Sequence, residues 1–181
     1  GLRASLQARG AEVYSLPTID ICYLRPEMPK SFEELVTSTT HRSLALVSTE
    51  ATRAFHQYLT TSYPNTQIPS WNHIFALGDK TFKTLKELKF LATHFHRATP
   101  SNDVGLAEII RRNLIKSESI IAPRGSKART QWSEKLVNEG FNIQRPLVYT
   151  TQDAPTSQEL YPRQVDWALF FSPSAVEAWS R

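Results

Sequence analysis

The chain has 181 residues, of which 40% are apolar and 21% charged, and its formal net charge is +4. These values are ordinary for a soluble globular protein and allow one or two domains with a real core. No apolar run approaches the roughly 20 residues of a membrane span, which excludes a membrane protein. Cys22 is the only cysteine, so an internal disulfide is impossible and a reducing cytoplasm is expected. The modest positive charge favours an anionic ligand, whether a polycarboxylate, a phosphate or nucleic acid.

The predicted elements alternate between strands and helices along almost the whole chain. Short apolar runs bounded by turn residues predict strands at 12–16, 43–47, 72–77, 89–95, 119–123 and 166–171, and segment 142–151 is expected to be extended. Apolar residues at helical spacing predict helices at 2–9, 31–35, 51–59, 82–88, 106–114, 132–136 and 175–179. This order predicts an α/β fold with parallel strands and right-handed crossovers.

Two pieces of the chain occur twice. Segment 6–17 resembles segment 136–146 in the spacing of its leucine, glycine, aliphatic and proline residues. Segment 44–55 resembles segment 168–179, where an apolar run ends in serine before a helical pattern. Both pairs have nearly the same offset, which favours two similar α/β halves. The alternative is that any strand–helix unit resembles another.

Four strand-to-helix corners carry hydroxyl groups and free backbone N–H groups. They are Ser48-Thr49-Glu50, Gly78-Asp79-Lys80-Thr81, Arg124-Gly125-Ser126-Lys127 and Ser172-Pro173-Ser174. Such corners suit carboxylate or phosphate oxygens, because ligands of open α/β sheets bind at the carboxyl ends of the strands. Ordinary helix capping is the alternative for any single corner. Four corners in two repeated halves that face a shared cleft favour ligand binding.

Several common sites lack their motifs. The chain has no G-x-G-x-x-G, no G-x-x-x-x-G-K-[ST] and no G-x-S-x-G. His94 and His96 share a strand but have no Cys, Asp or Glu nearby in sequence, so no metal site is predicted. A basic helical stripe without interleaved aromatic residues favours a solvated face over a nucleic-acid site; it consists of Lys80, Lys83, Lys86 and Lys89.

Four motifs, in this order, resemble those of the uroporphyrinogen-III synthase family. They are Gly10-Ala-Glu-Val13 running to Pro17, Phe75-Ala-Leu-Gly78-Asp-Lys-Thr81, Arg145-Pro-Leu-Val-Tyr149-Thr-Thr151 and Asp166-Trp-Ala-Leu-Phe-Phe-Ser172-Pro-Ser-Ala-Val176. The resemblance runs along the whole chain. Compared with the family, an opening strand and a closing strand–helix stretch are missing, so the chain is expected to be truncated at both ends.

The resemblance implies a particular domain organisation. Two similar α/β domains with parallel sheets flanked by helices would be joined by two extended linkers, with the second domain inserted into the first. Residues 1–26 plus 145–181 would form the truncated first domain and its linker strands. Residues 27–144 would form the complete inserted domain.

The resemblance also implies a reaction. The enzyme would be a lyase that cyclises hydroxymethylbilane with loss of water and inversion of the last pyrrole ring, without a metal or an organic cofactor. Tyr149 is the predicted catalytic residue, because a neutral phenol on a linker strand can donate a proton to the leaving oxygen. Its alternative is a half-buried strand tyrosine. Glu50 stands where the family tends to have asparagine, and its charge would disfavour substrate carboxylates, so that corner is expected to contribute little.

The predicted substrate-binding residues lie at the remaining corners and at one further helix start. They are Gly78, Thr81, Ser101, Arg124, Gly125, Ser126, Ser172, Pro173 and Ser174. The expected partner is a small tetrapyrrole, with no nucleic acid and no membrane, and the expected state is a cytoplasmic monomer. A non-catalytic two-lobed binding module for an anionic small ligand is the alternative function.

Overall fold

The computed structural model describes residues 2–25, 42–63, 70–154, 164–171 and 173–180. The chain divides into two compact units, which are Cys22–Thr150 and Gly1–Ile21 with Thr151–Arg181. The chain therefore passes between the units twice. The domain boundaries predicted at 26/27 and 144/145, and the insertion of one domain into the other, remain predictions.

A five-stranded sheet forms the centre of the larger unit. Its strands are β2 (Arg42–Leu46), β3 (Ser70–Ala76), β4 (Leu91–Arg97), β5 (Ser119–Ile121) and β7 (Asn142–Gln144). Their spatial order is β4-β3-β2-β5-β7, and every neighbouring pair is parallel. The predicted α/β class with parallel strands is thereby confirmed. β2 is the central strand, and all five of its residues are buried. This is expected for a strand that helices cover on both faces.

Helices connect these strands and start at identifiable caps. They are α2 (Thr49–Ser62), α3 (Asp79–Glu87), α4 (Asp103–Asn113) and α5 (Gln131–Asn138). The Ser48 hydroxyl accepts from the Ala51 N–H at 3.1 Å, and the Asn102 side chain accepts from the Gly105 N–H at 2.9 Å. Each bond satisfies an N–H group that the first helical turn leaves without a partner.

The sheet carries a separate hydrophobic core on each face, because successive strand side chains point in opposite directions. The first core is packed mainly by α2 and α3, and its members include Leu44, Leu46, Phe55, Ile74 and Leu85. The second core is packed by α4 and α5, and its members include Ala45, Phe75, Ile110, Ile120 and Leu136. All of these side chains are fully buried. Burial of each large one contributes about 1.5–3 kcal/mol.

A second, three-stranded sheet has the order β1-β8-β6. Its strands are β1 (Ile19–Tyr23), β6 (Arg124–Gly125) and β8 (Leu147–Asp153). The Leu24 N–H donates to the Val148 carbonyl at 2.9 Å just beyond the end of β1. β6 pairs with β8 in parallel, and a bulge shifts the register between Arg124 and Gly125.

Among its described residues, the smaller unit contains two short helices, α1 (Leu2–Gln7) and α6 (Pro173–Trp179). The strand predicted at 166–171 is wrong, because these residues form no strand. A strand is held by ladder hydrogen bonds, and none of the described strands pairs with this segment. The side chains of Trp167 and Phe171 are 87% and 82% exposed.

Four further sequence expectations have different outcomes. The strand predicted at 12–16 is wrong, because these residues are irregular and the strand that pairs with β8 is β1 instead. The repeat of 6–17 at 136–146 has a structural counterpart, since Gly10 and Gly140 both follow a helix with φ of +86° and +94°. The repeat of 44–55 at 168–179 has a counterpart only in its helix. The helix predicted at 31–35 lies outside the described residues.

Candidate active site

The carboxyl edge of the five-stranded sheet is where the loops of all five strands emerge. From β2 the chain moves outward through β3 to β4, and then returns to β5 and β7 on the opposite side of β2. The loops after β2 and β5 therefore leave in opposite directions. Ligands of parallel α/β sheets bind in the crevice that such a switch point opens.

Tyr149, the predicted catalytic residue, lies on β8 against β6. A Cβ atom added to Gly125 would lie 2.3 Å from the Tyr149 Cζ and 2.6 Å from its hydroxyl oxygen. The phenol therefore packs on the bare α-carbon of Gly125, and a Cβ atom there would require the Tyr149 ring to move. The ring is half-buried and also packs against the first core. The structure thus brings two predicted site residues into direct contact.

The predicted corner at 124–127 has a different conformation from the expected one. Arg124 and Gly125 form β6, and a turn follows in which the Ala128 N–H donates to the Gly125 carbonyl at 3.2 Å. The prediction that this corner leads directly into a helix is wrong, because β8 draws 124–125 into a strand and α5 begins only at Gln131.

Backbone and hydroxyl contacts hold this segment beside Tyr149. The Ser126 N–H donates to the Tyr149 carbonyl at 3.1 Å, and the Ser126 hydroxyl lies 3.1 Å from the Thr150 hydroxyl. The Arg124 guanidinium donates to the Gly125 carbonyl at 3.4 Å. Arg124, Gly125 and Ser126 are thus grouped with the candidate catalytic tyrosine.

The corners after β3 and β4 adjoin each other. A Cβ atom on Gly78 would lie 3.7 Å from the Ser101 Cβ, so these two predicted residues are neighbours. Gly78 caps α3 without a side-chain hydrogen bond, which leaves the N–H groups of its first turn open to a ligand. Thr81 belongs to this first turn and is only 6% exposed, which leaves little of its side chain for a ligand.

The remaining predicted corner belongs to the smaller unit. Ser172 lies outside the described residues. Pro173 and Ser174 open α6. Their predicted role in substrate binding remains a prediction, as it does for the residues of the larger unit.

Tyr23 and Arg53, which the sequence did not single out, lie beside Glu50 at the carboxyl edge of the five-stranded sheet. The Tyr23 hydroxyl, at the end of β1, donates to Glu50 Oε2 at 3.0 Å, and Arg53 donates to Glu50 Oε1 at 3.0 Å. Burial raises the pKa of the Tyr23 phenol, and the hydrogen bond to Glu50 and the nearby Tyr149 raise it further. Tyr23 is therefore a neutral hydrogen-bond donor near pH 7. No local pattern could have found it, because its partners lie on other elements.

Metal and membrane features are absent from the described part of the chain. Within residues 2–25, 42–63, 70–154, 164–171 and 173–180, no three His, Cys, Asp or Glu side chains are grouped so that they could hold a metal ion. The helices in these ranges are also too short or too polar to span a bilayer.

The strand order and the connecting helices define a doubly wound α/β protein. The chain belongs to the uroporphyrinogen-III synthase family, since the family model described as uroporphyrinogen-III synthase HemD matches residues 1–181. The family consists of cyclising lyases of haem biosynthesis.

Solved structures show the same fold. The crystal structure of uroporphyrinogen-III synthetase from Helicobacter pylori 26695 has a TM-score of 0.61 and 18% identity, covering 91% of this chain and 70% of that one. A mutant uroporphyrinogen-III synthase from the extremely thermophilic bacterium Thermus thermophilus has a TM-score of 0.50 and 12% identity, covering 84% of this chain and 58% of that one. None of the curated proteins compared with the chain matches it.

Proposed function

We propose that this chain closes hydroxymethylbilane into uroporphyrinogen III, with loss of water and inversion of the last pyrrole ring. The observation that carries the proposal is the placement of the Tyr149 phenol on Gly125, beside the crevice of the parallel sheet. Membership of the uroporphyrinogen-III synthase family supports the same reaction.

Tyr149 acts as the proton donor in this proposal. Its hydroxyl protonates the leaving hydroxyl group of the substrate, the C–O bond breaks, and water departs to leave an electrophilic azafulvenium cation and the tyrosinate. The last pyrrole attacks this carbon through its substituted position and forms a spiro intermediate. The bond to its former neighbour then breaks, and the inverted ring closes through its free carbon. The proton released from that carbon restores the phenol, so one water is lost overall.

The corners bind the carboxylates of the substrate. Every pyrrole carries an acetate and a propionate, and the open N–H groups after Gly78 suit such anions. Ser101, Arg124 and Ser126 add hydroxyl and cationic donors at the same edge, and Thr81, Ser172, Pro173 and Ser174 extend the proposed set. Holding a flexible chain with its ends together supplies much of the barrier reduction.

Product analysis tests the proposal. Hydroxymethylbilane is incubated with the full chain, and the cyclised products are oxidised and separated by isomer. Formation of the inverted isomer III above the buffer control is the expected result, since closure without inversion gives the symmetric isomer. Stabilisation of the fold by a uroporphyrin without any isomer III would favour the alternative of a non-catalytic binding module.

The assembly and location of the enzyme belong to the same proposal. We infer a cytoplasmic monomer without a nucleic-acid partner, because the proposed substrate is a small anion and because Lys86 lies over the aromatic rings beside the basic stripe, Phe82 and Phe95. Light scattering of the purified chain, with and without single-stranded RNA, tests this; a dimer mass or an RNA complex would contradict it.

A further inference from the structure

Glu50 is held between two donors that would suit a foreign carboxylate equally well. One carboxylate oxygen accepts from the Tyr23 hydroxyl and the other from the Arg53 guanidinium, each at 3.0 Å. Tyr23 comes from β1, whereas Glu50 and Arg53 lie one turn apart on α2. A guanidinium and a phenol that bind the two oxygens of one carboxylate form a recognition arrangement for that group.

This arrangement lies next to the proposed proton donor. α2 follows the central strand β2 and contacts β6, which carries Gly125 beneath the Tyr149 ring. Tyr23 and Tyr149 lie on the paired strands β1 and β8, each one residue from the bond in which the Leu24 N–H donates to the Val148 carbonyl at 2.9 Å. A substrate carboxylate bound here would therefore place its pyrrole ring within reach of the reacting groups.

We propose that Tyr23 and Arg53 form a carboxylate subsite, which Glu50 of the chain itself fills until an acetate or propionate of the substrate displaces it. The inference rests on the proposed function and names residues for it. It also gives Glu50 the role of occupying the subsite in the absence of substrate. Without such a role, its charge would only repel an anionic substrate.

Displacement of Glu50 is energetically accessible. The Glu50–Arg53 pair is an i, i+3 contact with the two side chains 31% and 48% exposed, and such pairs are weak. The substrate carries several carboxylates on one molecule, so its other contacts raise the effective concentration of the group that competes with Glu50.

The test compares Glu50→Gln, Tyr23→Phe, Arg53→Gln and the double variant Glu50→Gln/Arg53→Gln. Glu50→Gln keeps the shape but removes the competing charge, so KM should fall by about two- to fivefold with kcat unchanged. Tyr23→Phe and Arg53→Gln should each raise KM by about two- to tenfold, because each removes a donor to the substrate. Glu87→Gln, which removes another exposed helical ion pair, is the matched control and should leave KM unchanged.

The double variant distinguishes displacement from simple repulsion. If Glu50 competes for Arg53, the decrease in KM caused by Glu50→Gln disappears once Arg53 is gone. A decrease that persists in that background would overturn the proposal, as would a rise in KM or a loss of kcat in Glu50→Gln alone.

Equilibrium binding of uroporphyrin keeps this test separate from that of the function. The same four variants are titrated with uroporphyrin, and Kd should follow the pattern expected for KM. If the chain makes no isomer III but Kd follows this pattern, the proposed function fails and the subsite stands. If uroporphyrin does not bind, or binds all variants equally, the subsite is rejected.

Discussion

His73 Nδ1 lies 2.9 Å from His96 Nε2, which joins β3 to β4 by a hydrogen bond between two imidazole rings. One ring must donate and the other accept, so the accepting nitrogen is unprotonated. Their rings are stacked with centroids 5.2 Å apart, and His94 stacks on His73 at 4.9 Å. Protonation of both partners would remove the bond and place like charges side by side.

Stability should therefore fall in mild acid. Burial lowers the pKa of His73 and of His96 below 6.5; Glu118 opposes the shift at His73, and His94 adds to both shifts. The unfolded chain then binds more protons than the folded one below about pH 6.5, so stability is present above that pH and decreases as the pH falls through it. The measurement is the urea midpoint at about pH 7.5 and about pH 5.5.

A variant isolates the contribution of the histidine pair from other acid effects. His96→Gln keeps a hydrogen-bonding side chain but cannot become charged. The decrease in urea midpoint between the two pH values should be smaller in His96→Gln than in the parent chain. An equal decrease in both proteins would show that other groups cause the acid sensitivity.

Tyr149→Phe removes one hydroxyl and hardly any volume. We expect slower turnover by roughly ten- to a thousandfold with the fold intact, because proton donation to the leaving oxygen is lost. The isomer assay gives the rate, and the urea midpoint shows that the fold persists. The control is Tyr14→Phe, which removes an exposed hydroxyl that donates a hydrogen bond to Glu12 in the other unit. It should change neither the rate nor the urea midpoint. Full activity in Tyr149→Phe would remove this residue from the mechanism.

Local features were predictable because short-range physics determines them. Asn102 precedes a helical pattern and caps α4, and Gly140 follows α5 with a positive φ that glycine adopts at no steric cost. The alternation of strands and helices likewise predicts the parallel sheet. For these features the sequence neighbours are also the structural neighbours.

Long-range pairing determined what the sequence could not predict. Tyr23 meets Glu50 across 27 positions, and Gly125 meets Tyr149 across 24, in each case because separate strands or helices bring them together. Residues 124–125 form a strand rather than a helix start because β8 offers them a partner. Residues 166–171 have a suitable apolar run but no described strand beside them, so the pattern alone does not make a strand.

Gly125→Ala should displace the Tyr149 ring, which packs on the α-carbon of Gly125. The added methyl group would lie 2.3 Å from the Tyr149 ring, so the ring must move and the phenol leaves its position. We expect a stability loss of about 1–3 kcal/mol and a turnover as low as that of Tyr149→Phe. Gly78→Ala is the steric control, because its methyl group would make only ordinary contacts near 3.7 Å, and its stability should change by less than about 0.5 kcal/mol.

A double variant shows whether the clash is with Tyr149. In the Tyr149→Ala background the ring is absent, so adding Gly125→Ala should cost little further stability. Urea unfolding of the four proteins in this cycle gives the coupling. Additive losses would place the strain of Gly125→Ala elsewhere in β6.

Gly105→Ala reverses the usual effect of this substitution in a helix. Alanine in a helix interior is normally favoured over glycine by about 1 kcal/mol. Gly105, however, lies in the first turn of α4, where a Cβ atom would be 2.1 Å from the backbone carbonyl oxygen of Pro100. Backbone cannot move aside as a flexible side chain can, so we expect a loss of about 1–3 kcal/mol in the free energy of unfolding.

The control for Gly105→Ala is its neighbour. Val104 is 70% exposed in the same turn, and Val104→Ala should change stability by less than about 0.5 kcal/mol. In the parent chain the Gly105 N–H donates a hydrogen bond to the Asn102 side chain, which caps α4. If the first turn shifts in Gly105→Ala, loss of this bond lowers the free energy of unfolding further. Amide hydrogen exchange should then be faster in the first turn of α4 in Gly105→Ala than in Val104→Ala. A stability gain in Gly105→Ala would contradict the prediction, because it would mean that the alanine Cβ does not clash with the Pro100 carbonyl oxygen.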